Sequence, residues 1–179
     1  APLDELKAFA QDRPDLVLAN LNSPEQGVLA GSSATIDEAM TRLQTAGYPF
    51  TKLPVSAAFH SHLVQDAQIT FQSVLNQTEI MPTDIPVLSN TLGDFYPRIA
   101  ASVRSILGDQ IGNPVYFMAN IRAMYDHGVR TFVEVGPKSV LTGLVQAILK
   151  NKRFKAVAVD ASSGRDFGIA DLARTLASL

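Results

Sequence analysis

Residues 131–159 decide the fold class. Thr131-Phe132-Val133-Glu134-Val135 is rich in β-branched and aromatic side chains and reads as a strand. Gly136-Pro137 follows as a tight strand-to-helix turn, a helix runs to about Leu149, and Lys155-Ala156-Val157-Ala158-Val159 reads as a second strand. Strand, helix and strand with short connectors imply parallel pairing. Outward from this unit, Pro86 to Asn90 reads as another buried strand. Residues 99–107 and 115–127 read as helices, the second ending at Gly128, and 169–178 as a final helix. The expectation is an α/β unit: a parallel sheet covered on both faces.

The first 54 residues have a different rhythm. Residues 3–12 read as a helix, and 16–20 and 27–30 as short strands with Asn22-Ser23-Pro24 as the turn between them. A helix follows, with Thr35 as its cap and Glu38 completing a T-x-x-E box. It carries Ile36, Met40 and Leu43 on one face, and Gly47 ends it. Residues 48–53 read as a strand and about 63–75 as a helix. The order helix, strand, strand, helix, strand predicts a small antiparallel sheet with helices on one face, lacking one opening strand. The two textures meet near Pro54.

Composition narrows the function classes. The 179 residues carry a formal charge of −2, with 46% hydrophobic and 18% charged side chains. Such a chain buries a substantial core and is not disordered. Its near-neutral balance argues against a nucleic-acid or anionic-membrane surface. It holds no run of about 18 apolar residues, the length a membrane span needs. Ala1 to Arg13 carries acids and lacks a basic-then-apolar layout, so it is not read as a signal peptide. Cysteine is absent, which excludes disulfides, thiolate metal sites and a cysteine nucleophile, and a reducing cytoplasm is the location expected from it.

Three histidines are the candidate chemistry. His127 falls at a predicted helix end, where a cationic imidazole suits the dipole. His62 is two residues from His60, and no carboxylate stands at a ligand spacing, so no metal site is expected. His60 closes a small-residue stretch and precedes a helix. That junction suits a general base, which must be held within hydrogen-bond reach of its partner. The residues alone leave open a core histidine satisfied by backbone. A nucleophile elbow, G-x-S-x-G, is absent: Gly31-Ser32-Ser33-Ala34-Thr35 and Gly136-Pro137-Lys138-Ser139-Val140 both lack the second glycine. The latter also lacks the phosphate-loop pattern, so nucleotide binding is not expected. Lys150, Lys152, Arg153 and Lys155 read as a solvated cluster at a helix C-terminus, with a contact to a ligand phosphate as the less common alternative.

Four segments carry a resemblance. They are Asn20-Leu21-Asn22-Ser23-Pro24, Val55-Ser56-Ala57-Ala58-Phe59-His60-Ser61, Gln110-Ile111-Gly112-Asn113-Pro114-Val115-Tyr116-Phe117, and Phe132-Val133-Glu134-Val135-Gly136-Pro137-Lys138-Ser139-Val140-Leu141-Thr142-Gly143-Leu144. In order and spacing they resemble successive blocks of the malonyl-CoA:acyl carrier protein transacylases. The likeness is greatest to the acyltransferase domains of iterative polyketide and polyunsaturated fatty-acid synthases, and it covers nearly the whole chain.

The resemblance implies a ferredoxin-like small subdomain, here residues 1–54 and incomplete at its N-terminus, followed by the C-terminal part of an α/β-hydrolase-like subdomain, residues 55–179. It implies a ping-pong transfer in which a serine attacks the malonyl thioester and the phosphopantetheine thiol of acyl carrier protein then takes the acyl group. His60 matches the family's catalytic histidine, and Gln110 the residue whose backbone carbonyl orients that imidazole. Phe59, beside the acyl pocket, leaves little room for a 2-methyl branch; one methyl decides about 1–3 kcal/mol, a preference for malonyl over methylmalonyl. Ser56 is expected to bind substrate with Phe59. Asn20 and Asn22 resemble residues lining the cleft between subdomains, or else supply turn chemistry. No cofactor is expected on this chain.

Two departures matter. The family commonly has a proline where His62 stands. The family's G-H-S-x-G elbow and the arginine that pairs with the malonyl carboxylate lie upstream of the small subdomain, and neither is in this sequence. The expectation is therefore a C-terminal fragment that carries the histidine and not the serine and is inactive alone. Its partners would be malonyl-CoA, acyl carrier protein, the upstream serine-bearing segment and a neighbouring ketosynthase domain. The alternatives are a non-catalytic docking fragment for acyl carrier protein or a synthase domain, and a ferredoxin-like ligand sensor in which A-F-H-S is coincidence.

Overall fold

A computed structural model describes residues 1–11, 13–55, 57–81 and 83–179. The chain divides into two compact units, Ala1–Asn120 and Ile121–Leu179. That break lies at a different place from the subdomain boundary expected at 54/55.

The first unit opens with α1 (Leu3–Gln11), β1 (Leu16–Ser23), β2 (Gln26–Gly31) and α2 (Ser33–Thr45). β1 and β2 pair antiparallel, from Leu16 opposite Gly31 to Ser23 opposite Gln26. The strands thus outrun the expected limits, and the turn is Pro24-Glu25. Ser23 is held in the ladder, because an antiparallel pair needs only a two-residue connection. Leu3 and Leu6 of α1 and Leu43 of α2 form a buried cluster, with Phe9, Leu18, Leu21, Leu29 and Tyr48 packed against it.

The start of α2 differs from expectation. Ser32, not Thr35, is the cap: its Oγ accepts from the Thr35 N–H at 3.2 Å. Thr35 lies inside the first turn, buried, with its hydroxyl bonded to Asp15. The buried face is Thr35, Ala39 and Leu43, one residue round from Ile36 and Met40. Both series have helical spacing; a hydroxyl with an internal partner can be buried, and sequence alone does not show that partner.

Residues 48–53 form no strand. Phe50 and Leu53 are exposed, and among the described residues no strand pairs with this stretch, so its backbone makes no ladder. A short 3-10 turn, His62–Val64, leads into α3 (Gln65–Gln77). The strand expected over Pro86–Asn90 shrinks to β3 (Leu88–Ser89), which pairs antiparallel with β4 (Asp94–Phe95). Val87 is exposed, so the apolar run is not a sheet centre. α4 (Ala100–Asp109) packs on α3, where Arg104 donates to the carbonyls of Leu75 (2.8 Å) and Thr78 (3.1 Å) at the helix C-terminus. α5 (Phe117–Asp126) starts in the first unit and ends in the second.

The second unit contains β5 (Thr131–Pro137), α6 (Val140–Ile148), β6 (Lys155–Asp160) and α7 (Gly168–Ser178). β5 and β6 are parallel, Thr131 opposite Lys155 and Glu134 opposite Ala158, as the sequence of this region implies. The sheet is two-stranded, and Val133 and Val135 are exposed, so the expected cover on both faces is not present among the described residues. α6 has no side-chain cap of its own. The Glu134 carboxylate supplies it from the adjoining strand, accepting from Leu141 N (3.0 Å), Thr142 N (2.7 Å) and Thr142 Oγ1 (2.7 Å). Helix N-terminal amides have no intrahelical partner, and an anion there is favoured. Burial pushes this carboxyl up, but the donors on Thr142, Leu141 and Val140 outweigh it and hold its pKa below the usual glutamate range.

Candidate active site

His60 follows Phe59 just before the 3-10 turn. Ser61, almost wholly buried, shapes the corner: its hydroxyl donates to Ala58 O at 2.6 Å and accepts from Leu63 N at 3.3 Å. The His60 backbone has φ +61, a left-handed conformation that costs an L-residue about 1–2 kcal/mol. Two hydrogen bonds hold it there. Its N–H donates to Ile111 O at 3.0 Å, and its Nδ1 lies 3.0 Å from Gln110 O.

Those carbonyls are available because Gln110 caps the C-terminus of α4. The last carbonyls of a helix have no partner within it. The end of α4 therefore gives two successive acceptors to one residue fifty positions earlier. A carbonyl only accepts, so Nδ1 carries the proton, and the neutral ring then has an unprotonated Nε2. Nε2 makes no hydrogen bond among the described residues. The result is a half-buried imidazole with a fixed tautomer and a free basic nitrogen, the arrangement a general base needs. The Gln110 side chain points elsewhere: its Oε1 accepts from Thr91 Oγ1 at 3.0 Å.

The other expected site residues are placed as follows. Phe59 is 53% exposed, next to the imidazole. Asn20 and Asn22 lie in β1, half-buried, and so not in a turn. The strand carrying them meets the segment after Gln110: Val115 N donates to Ala19 O at 2.8 Å and Leu21 N to Val115 O at 2.9 Å. Two blocks far apart in sequence are thus joined through backbone. Ser56 lies outside the described residues. His62 is exposed and borders an open depression with Lys7, Gln11, Arg13 and Leu18; His60 does not line it. His127 bonds to Ala123 O at 2.9 Å at the end of α5. Lys150, Lys152 and Arg153 are exposed after α6. Among the described residues no three histidine, aspartate or glutamate side chains gather to hold a metal, and no helix is long and apolar enough to cross a membrane.

Thr91 was not singled out from the sequence. Its signal is the polar triplet Ser89-Asn90-Thr91, which overlaps the end of the Pro86–Asn90 run expected to be buried strand.

Residues 3–171 match the family model for the acyl transferase domain. The chain belongs to the acyl transferase domain family. Among curated acyl transferase relatives, it is 35% identical over 159 residues to a polyunsaturated fatty acid synthase of Thraustochytrium, covering 87% of this chain and 6% of that protein. It is 36% identical over 143 residues to the malonyl CoA-acyl carrier protein transacylase of Bacillus subtilis, covering 79% of this chain and 44% of that one. A solved malonyl-transacylase in complex with its type II polyketide synthase acyl-carrier protein superposes with TM-score 0.83 at 27% identity, over 97% of this chain and 56% of that chain. The chain thus spans less than half the length of these curated relatives, and shares with solved acyltransferases a mixed α/β fold.

Proposed function

We propose that this chain contributes the histidine of a Ser-His acyltransferase that moves malonyl from CoA to acyl carrier protein. The observation that carries the reading is the His60 Nδ1 contact to Gln110 O at 3.0 Å. The names of the relatives, malonyl CoA-acyl carrier protein transacylase among them, support the substrate class.

His60 Nε2 takes the proton of a serine hydroxyl supplied by polypeptide outside these 179 residues. The serine oxygen bonds to the malonyl carbonyl carbon, the carbon–sulfur bond breaks, and the CoA sulfur leaves with the proton from His60. The carrier-protein thiol then reverses the sequence: it loses its proton to His60, attacks the acyl-serine, and frees the serine. Gln110 O holds the imidazole through both halves. Phe59 borders the acyl group and disfavours a 2-methyl branch; Ser56, Asn20 and Asn22 are assigned to the binding cleft. The transfer as proposed calls for no cofactor on this chain. The relative solved with its acyl-carrier protein supports that partner. The Thraustochytrium synthase, of which this chain matches 6%, supports a setting within a much longer polypeptide; a neighbouring ketosynthase there is what the family resemblance implies.

In this reading residues 1–54 belong to a ferredoxin-like subdomain, supported by the β1–β2 hairpin flanked by α1 and α2. Residues 55–179 belong to an α/β-hydrolase-like one, supported by the parallel β5–β6 pair. The missing G-x-S-x-G favours a second reading for the chain by itself, as a docking fragment.

Radiolabelled malonyl-CoA separates the two. The chain alone is expected to take up no label. Adding the serine-bearing segment of the same acyltransferase restores labelling, and His60→Ala then lowers the rate by several orders of magnitude, as loss of a catalytic base does. Labelling of the isolated chain, or full rate in the restored His60→Ala enzyme, refutes the assignment.

A further inference from the structure

We propose that Thr91 is a positioning residue for the transfer reaction: its hydroxyl fixes the Gln110 side chain and, through it, the carbonyl that holds the His60 imidazole. The proposal rests on the reading of His60 as the base.

Gln110 does its work with its backbone, yet its side-chain amide nitrogen is buried. Among the described residues its Nε2 has no hydrogen-bond partner and its Oε1 has one, Thr91 Oγ1 at 3.0 Å. A buried amide is kept in place by its partners, so this amide depends on a single hydroxyl. Thr91 Oγ1 also lies 3.4 Å from Ile106 O, within the last turns of α4. The hydroxyl therefore bears on the end of α4 at two points, one on Gln110 itself and one a turn before it.

Thr91 is itself fixed. Ser89, fully buried, accepts from Thr91 N (3.2 Å) and Leu92 N (3.3 Å) and closes the turn between β3 and β4. Gly93 N donates to Ser89 O at 2.9 Å. Asn90 pins the same turn to the start of α5: its carbonyl accepts from Tyr116 N at 2.8 Å, and its Oδ1 from Asn120 Nδ2 at 2.9 Å. A rigid turn thus presents one hydroxyl to the helix end that orients the base. Small misplacement of a base is costly, because proton transfer needs hydrogen-bond geometry.

Thr91→Val keeps the shape and removes the hydroxyl; Thr91→Ser keeps the hydroxyl; Gln110→Leu breaks the same contact from the other side. Nitrogen-15 NMR of the His60 ring in this chain reads the tautomer directly. Wild type and Thr91→Ser are expected to hold the proton on Nδ1. Thr91→Val and Gln110→Leu shift at least a fifth of it to Nε2. In the acyltransferase restored with its serine-bearing segment, Thr91→Val lowers kcat about 10–100-fold with KM within twofold, the size of effect seen when a supporting hydrogen bond is lost. Unchanged His60 ring signals in Thr91→Val and Gln110→Leu, with or without a fall in stability, overturn the proposal, as does a Thr91→Ser variant as impaired as the valine one. A wild-type ring protonated on Nε2 instead refutes the base assignment itself.

Discussion

Replacing Glu134 with Gln tests how α6 is started. The carboxylate spreads its two oxygens over three donors: Oε1 takes Leu141 N, and Oε2 takes Thr142 N and Thr142 Oγ1. A glutamine keeps one acceptor oxygen and turns an NH2 toward donors, so at least one amide loses its partner. Loss of an N-terminal cap costs about 0.5–2 kcal/mol, and loss of a charge beside the helix dipole about 0.3–1 kcal/mol. Since the group is partly solvated, we expect about 1–2 kcal/mol in total, discounted for screening. Urea unfolding near pH 7 reads this as a lower midpoint with unchanged slope. Hydrogen exchange at Leu141 and Thr142 reads it locally, as a loss of protection of about 5–30-fold. The pH dependence has a definite sign. The folded carboxyl is held below its ordinary range, so its contribution is complete above the unfolded glutamate pKa and disappears as pH falls through the folded value. The gap between wild type and Glu134→Gln must therefore narrow in acid. A gap that is the same near pH 7 and near pH 3, or unchanged protection of both amides, would show that the charge does not start this helix.

Two further pairs of substitutions test other local claims. Gly93 has φ +68, and an added Cβ would lie 2.8 Å from Ala119 Cβ and 3.0 Å from Tyr116 Cβ, whereas Gly128, at φ +93, has open space around it. Gly93→Ala is expected to cost about 2–4 kcal/mol, conformation plus overpacking, and Gly128→Ala only about 1–2 kcal/mol; equal urea midpoints for the two would refute the crowding. Ser32→Ala removes the acceptor for Thr35 N and is expected to cost about 1 kcal/mol, with Ser32→Gly costing only a few tenths. Amide exchange over the first turn of α2 checks it, and equal loss in both variants would point away from the cap.

Where the sequence was legible, and where it was not, follows from the range of the interactions. The βαβ order of 131–159 was readable because each element is long, β-branched or periodic, and the connectors are short. The cap of α2 was misplaced by three residues, since Ser32 and Thr35 are equally good cap chemistries and only the buried bond to Asp15 separates them. Residues 48–53 and 86–90 have strand composition, but a strand also needs a neighbour, and a partner is not written in the segment itself. His60 was legible as a junction residue and by resemblance. The carbonyl of Gln110 was expected from the resemblance alone, fifty residues away. Thr91 is legible only as one of three polar residues at the end of an apolar run; its role is not, because its effect passes through a side chain, a helix end and a carbonyl before it reaches the imidazole.

The left-handed corner at position 60 makes that α-carbon a stereochemical filter. Asparagine tolerates such a corner better than most residues, while valine, isoleucine and threonine crowd it. An alanine there deletes the imidazole and also lets the corner relax, so chemistry and conformation are lost together. Asparagine deletes the base while leaving the bend, and the difference between the two variants measures what the bend is worth.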